Sequence, residues 1–135
     1  MSWIKLVKQK QFRLLVCGGR TFDEKSWMFT RLAEALSVCQ DLHVIHGGAK
    51  GADECAGIIC EELAIPYTVY PADWQKHGKS AGHIRNELML TQGKPHAVMA
   101  FPGGKGTGHM IQLAHKAGVP LVDVNAVVDV GALYF

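Results

Sequence analysis

A chain of 135 residues with a net charge of +2, 48% apolar and 19% charged residues has the length of one domain and enough core to fold without disulfide or metal staples. That composition excludes a disordered chain, and fifteen glycines with only five prolines and no Gly-X-Y period exclude a collagen-like one. The glycine content is about 11% against a usual ~7%, so it needs a positional explanation.

Residues 1–11 read as a basic lead-in. The first 20 residues carry Lys5, Lys8, Lys10, Arg13 and Arg20 and no acid, while the remainder is net acidic. Phe12–Cys17 reads as a strand. Thr21 and Glu24 have the spacing of a capping box, and the helix after them brings Trp27, Met28, Leu32, Leu36 and Cys39 near one face. Leu42–His46 is a second strand and Gly51–Leu63 a second helix. Pro66–Tyr70 is a third strand, followed by a loop and a helix over Gly82–Thr91. His96–Phe101, a helix over Gly106–Ala117 and a strand over Leu121–Val124 complete the domain, 12–124. Gly93 and Gly118 each precede an X-Pro by one residue, as left-handed helix caps do. The apolar tail, 125–135, suits a strand, a helical turn or a dimer contact. Such β-α-β punctuation predicts an α/β, three-layer Rossmann-like fold: a parallel sheet of about five strands with helices on both faces.

No apolar run approaches the ~18 residues of a membrane span. Lysines interrupt the N-terminal apolar residues, so a signal-peptide core is not expected. Cys17, Cys39, Cys55 and Cys60 form no Cys-x-x-Cys pair and read as reduced, buried thiols of a cytoplasmic protein with no membrane partner.

Nine glycines fall in three clusters, each after a strand and before a helix. The clusters are Cys17-Gly18-Gly19-Arg20, His46-Gly47-Gly48-Ala49-Lys50-Gly51-Ala52-Asp53 and Phe101-Pro102-Gly103-Gly104-Lys105-Gly106-Thr107-Gly108. In a parallel sheet these turns share the carboxyl edge, where open α/β sheets bind ligands. Helix N-termini present free N–H groups and partial positive charge, and glycine lets backbone approach a phosphate closely. Arg20, Lys50, Lys105, Lys79 and Arg85 add cations, and Thr21 and Thr107 add hydroxyls. The expected anion contacts are therefore Gly18, Gly19, Arg20 and Thr21; Gly47, Gly48, Ala49, Lys50, Gly51 and Asp53; and Pro102, Gly103, Gly104, Lys105, Gly106 and Thr107. Gly57 and Gly131 have no role in this reading.

Standard fingerprints fit poorly. Gly78-Lys79-Ser80 resembles the end of a P-loop, but Asp73 stands where the earlier glycine belongs. Gly104-x-Gly106 begins a dinucleotide fingerprint whose third glycine is replaced by His109. His43 and His46 lie on opposite faces of one strand, and His109 and His115 are six apart on a helix, so no metal site is expected. His109 reads as a solvated or capping residue, or as an acid or base beside a ligand. Asp53 reads either as a charge on a helix dipole or as a ribose acceptor or general base. Asp73 and Trp74 suit gripping a ribose and stacking on a base, though local packing accounts for Trp74 equally well.

Together, Val16–Phe22, Val44–Asp53, Tyr70–Trp74, Gly82–Asn86 and Ala100–Thr107 resemble the motifs of the SLOG superfamily, named for bacterial DNA-processing proteins and the Lonely Guy enzymes. Within it, the chain is most similar to the small single-domain YspA-like branch, formerly a domain of unknown function. The resemblance implies a Rossmann-like fold that binds nucleotides or nucleotide-derived ligands, and adds Arg85 and Asn86 to the site. Lonely Guy enzymes release a base from a nucleoside 5′-monophosphate through Pro-Gly-Gly-x-Gly-Thr-x-x-Glu. Here Pro102–Thr107 match, but Met110 occupies the Glu position, and a thioether cannot activate water or stabilise a cationic centre.

The leading expectation is thus a module binding a small, phosphate-bearing, nucleotide-derived ligand as sensor, carrier or sequestering protein, with no cofactor required. The alternative is an N-glycosidic hydrolase with a relocated acid, for which Asp53, Asp73 and His109 are candidates. Single-stranded nucleic-acid binding is third, because net charge and aromatic content near the cations are low.

Overall fold

A computed structural model describes residues 11–39 and 41–125. The lysines of the basic lead-in, the tail beyond Asn125 and Gly131 lie outside the described residues. The elements run β1 (Phe12–Cys17), α1 (Lys25–Val38), β2 (Leu42–His46), α2 (Ala52–Leu63), β3 (Tyr67–Val69), α3 (Trp74–His77), a 3-10 turn (Gly78–Ser80), α4 (Ala81–Thr91), β4 (Ala97–Ala100), α5 (Lys105–Ala117) and β5 (Leu121–Val122).

The five strands form one parallel sheet in the order β3-β2-β1-β4-β5. β1 is central, pairing Leu14 with Val44 on one side and with Ala97 on the other. Its near-continuous apolar run suits a strand covered on both faces. Alternate strand residues feed two cores. Phe12, Leu14, Val16, Val44 and Met99 pack with Met28 and Leu32 of α1 and Ala56 and Ile59 of α2. Leu15, Cys17, Ile45 and Val98 pack with Met89 of α4 and with Met110 and Ala114 of α5. The helices therefore cover both faces, and the chain changes face between β3 and β4. That change puts the crevice of the topological switch between the carboxyl ends of β1 and β4.

Local structure departs from the sequence reading in four respects. The Thr21–Glu24 capping box does not form. Glu24 is the N-cap of α1 and makes no side-chain cap bond, because Phe22 N–H donates to Gly19 O and folds Thr21 into a surface turn. Phe22 instead packs on Phe101, with ring centroids 5.1 Å apart. At the end of α4, Lys94 rather than Gly93 takes the left-handed conformation, with φ 48°. Gly93 is small for another reason: a Cβ there would collide with Met89 O. Gly118 does cap α5 at φ 73°. The loop after β3 is partly helical, forming α3 and the 3-10 turn. The third and fifth strands are also shorter than the apolar runs suggested.

Arg13, one of the basic N-terminal residues, serves the fold at the amino edge. Its Nε donates to Lys94 O at 2.8 Å and to Gly93 O at 3.2 Å. At the start of the tail, Arg31 Nε and Trp27 Nε1 donate to Val124 O at 2.7 and 3.0 Å. Gly57, interior to α2, faces a buried histidine; a Cβ there would lie 3.3 Å from His46 Nε2. All four cysteines are buried and none is in a disulfide. Among the described residues, no helix is long and apolar enough to cross a membrane, and no His, Cys, Asp and Glu cluster could hold a metal.

Candidate functional site

The three glycine-rich turns meet at the carboxyl edge, but their glycines divide into two kinds. Some exist because backbones touch. Gly19 N–H donates to Pro102 O at 2.9 Å and Ala52 N–H to Gly19 O at 3.1 Å, so the first turn is hydrogen-bonded to the other two. A Cβ on Gly18 would lie 2.6 Å from Ala52 Cβ, and one on Gly19 would lie 2.9 Å from Gly103 Cα. A Cβ on Gly103 would strike Thr107 Oγ1, and Gly51, at φ 82°, has its neighbours in Gly19 O and the Arg20 carbonyl. These contacts close the edge of the domain.

Gly104, Gly106 and Gly108 are different. A Cβ on any of them would meet nothing within 4 Å. None has a positive φ, so neither packing nor backbone conformation requires glycine there. Gly106 and Gly108 lie inside α5, where glycine costs about 0.5–1 kcal/mol relative to alanine. Gly104 and Gly106 border a cleft of about 430 Å³ at the switch point.

The cleft brings together Gly18, Gly19, Arg20, Ala49, Asp53, Arg85, Asn86, Gly104, Lys105, Gly106 and Thr107 from the sequence-predicted set. Lys79 also borders it, with Cys17, Trp74, Gly82, His83, Met89 and Met110. Gly47, Gly48 and Lys50 border an adjoining groove instead. Thr21 and Gly51 fall on a third surface. Pro102 and Gly103 pack against the first turn and border none of these three. Asp73 is exposed and caps α3, accepting from Lys76 N–H at 3.1 Å.

Arg85 and Asn86, on adjacent positions of α4, tie the second and third turns to that helix. Arg85 Nη1 donates to Gly47 O at 2.6 Å and its Nε to Asn86 Oδ1 at 3.1 Å. Asn86 Nδ2 donates to Gly106 O at 3.2 Å and to His109 Nδ1 at 3.1 Å. Asn86 is buried, so its amide orders the first turn of α5 from below. Gly47 is small because Arg85 and Asp53 converge on it; a Cβ would strike the guanidinium and lie 2.9 Å from Asp53 Oδ2.

Burial sets the electrostatics. Asp53 Oδ2 accepts from Ala49 N–H at 3.2 Å, yet desolvation outweighs that bond and the Arg85 charge and raises the carboxyl above its ordinary value. Burial also lowers Arg85, partly opposed by Asp53, and pushes the Cys17 thiol up to about 12. His109 stacks on His83 at 3.8 Å between centroids, and burial followed by that neighbour lowers its pKa. His83 was not singled out in the sequence, although its i, i+3 spacing to Asn86 places both on one face of α4. Met110 is 1% exposed. An apolar thioether therefore borders the cleft at this position.

A family model described as the YspA, cpYpsA-related SLOG family matches residues 12–77. The Gene 61 protein of Mycobacterium phage D29 is 36% identical over 119 residues, covering 82% of this chain and 94% of that protein. The X-ray structure of DNA processing protein A (DprA) from Streptococcus pneumoniae superposes with a TM-score of 0.67 at 14% identity. The match covers 93% of this chain but 54% of DprA, so the chain spans about half the length of that protein and shares its fold. With the parallel sheet, the turn motifs and a full-length relative in agreement, the chain belongs to the YspA, cpYpsA-related SLOG family.

Proposed function

We propose that the chain binds a phosphate-bearing, nucleotide-derived small molecule in the cleft between β1 and β4. The observation that carries this reading is the bare backbone of Gly104 and Gly106 at the start of α5. Nothing in the fold fills the space beside it, and Lys105, Lys79, Arg85 and Arg20 border the same cleft. A phosphoryl group there would accept from N–H groups of the α5 N-terminus and from the Thr107 hydroxyl. The cations would supply charge-assisted bonds. The cleft volume suits a small ligand, for which ~300–1,000 Å³ is usual.

A second reading, base release from a nucleoside monophosphate, draws support from Asp53. It is the buried carboxyl bordering the cleft, and its raised pKa suits a general acid. Binding is favoured because Met110 replaces the carboxylate of the Lonely Guy motif.

The test is thermal unfolding of the full chain with inorganic phosphate and a panel of nucleotides, with mass spectrometry of anything released on denaturation. A ligand at 100 times its Kd stabilises by roughly 2.7 kcal/mol, and Lys105→Gln should remove most of that gain. If no phosphate-bearing compound shifts the melt, the reading fails. Chromatography for free base separates the two readings: steady release that is lost in Asp53→Asn would establish the hydrolase.

A further inference from the structure

The cleft continues into a second lobe. An adjoining groove of about 370 Å³ runs along the Gly47–Lys50 loop and shares four residues with the cleft: Arg20, Ala49, Trp74 and Arg85. These four form a waist. Each lobe has cations the other lacks: Lys79 and Lys105 in the cleft, Lys50 in the groove.

Trp74 stands at the waist without a packing reason. It is 50% exposed, and α3, which carries it, buries none of its residues. The indole rests by Cη2 near Gly82, 3.7 Å from where a Cβ would stand. The Arg20 guanidinium lies over the ring at 5.7 Å. An exposed indole beside a mobile-length cationic side chain is the usual platform for a nucleobase, by π-stacking and cation–π attraction. Arg85, held by Gly47 O and Asn86 Oδ1, uses two of its N–H groups in the fold and keeps the others for a ligand.

Resting on the cleft being a phosphate site, we propose that the ligand is a nucleoside carrying phosphoryl groups at two separate positions. One phosphoryl lies at the Gly104–Thr107 turn, the base stacks on Trp74 beneath Arg20, and the second phosphoryl enters the groove toward Lys50. A free nucleoside bisphosphate and a dinucleotide share this chemistry. A single monophosphate leaves the second lobe and Lys50 without a partner.

The experiment is isothermal titration calorimetry on the full chain. Its probes are inorganic phosphate, adenosine and guanosine 5′-monophosphates, the corresponding 3′,5′-bisphosphates, 5′-phosphorylated dinucleotides and a twelve-nucleotide strand. The better bisphosphate or dinucleotide should bind at least tenfold more tightly than its monophosphate, and whichever does so identifies the source. Lys50→Gln should erase that advantage. Trp74→Leu should weaken the nucleotide probes about tenfold, more than it weakens inorganic phosphate, and abolish the fluorescence quenching they cause. All these side chains are exposed, and unchanged melting temperatures of the variants will show that the fold is intact. Equal affinity for monophosphate and bisphosphate, or no effect of Lys50→Gln, overturns the two-lobed ligand while leaving the cleft reading in place. Failure of every probe overturns both. Affinity that keeps rising to the twelve-nucleotide strand replaces the small ligand with single-stranded nucleic acid.

Discussion

Gly51→Ala and Gly106→Ala should have opposite effects on stability, although both sit in glycine-rich turns of the same edge. Gly51 is the N-cap of α2 at φ 82°, ψ −120°, a region only glycine enters cheaply, so alanine costs about 1–3 kcal/mol there. Its methyl would also stand 2.6 Å from the carbonyl carbon and oxygen of Arg20 and closer still to Gly19 O. Such overpacking adds about 1–3 kcal/mol. A combined loss of about 2–6 kcal/mol lowers the melting temperature of a domain this size by roughly 10–20 °C. Gly106 lies within α5 with open space where the Cβ would go, so alanine should stabilise by up to about 1 kcal/mol through helix propensity. That methyl would nevertheless occupy the space the phosphate needs, and nucleotide affinity should fall at least tenfold. Thermal unfolding by circular dichroism and ligand titration on the same samples read both effects. If Gly106→Ala unfolds earlier than the parent, or Gly51→Ala is as stable as the parent, the division of glycines into packing and ligand-facing sets is wrong.

Other outcomes follow from burial. Because the native Asp53 pKa is raised above its unfolded value, the folded state holds a proton that the unfolded chain releases, and stability falls as pH rises through that window. Asp53→Asn should therefore match the parent below pH ~4 and melt later above the raised native value, a gap that opens as pH climbs past the ordinary carboxylate range. A constant gap across that range would refute the assignment. Arg31→Ala removes a buried donor to Val124 O and unpairs Glu34, which it meets at 2.9 Å. Urea denaturation should show a loss of about 2–4 kcal/mol. The Cys17 and Cys60 thiols are pushed up to about 12 by burial, and all four cysteines are buried. Ellman's reagent at pH 8 should label all four after denaturation and react with the native protein only at the slow rate of its opening.

The sequence determined the elements because their signals are local. Apolar runs bounded by glycine and proline mark β1 and β2 to the residue, and the period of α1 identifies the face it buries. It also determined that three glycine-rich turns share one edge, since every strand-to-helix turn of a parallel sheet does. Only tertiary structure could decide what each glycine is for. Gly19 and Gly103 are glycine because two turns distant in sequence touch, whereas Gly104 and Gly106 are glycine where a Cβ would meet nothing within 4 Å. Strand order likewise had no local signal, yet it places the switch point between β1 and β4 and joins Arg85 of α4 to Gly47 after β2. The same long-range packing separates Lys50 from Lys105 into two lobes and leaves Trp74 between them. A motif records which chemistry a turn can offer; the distances between turns depend on contacts spread over the whole chain.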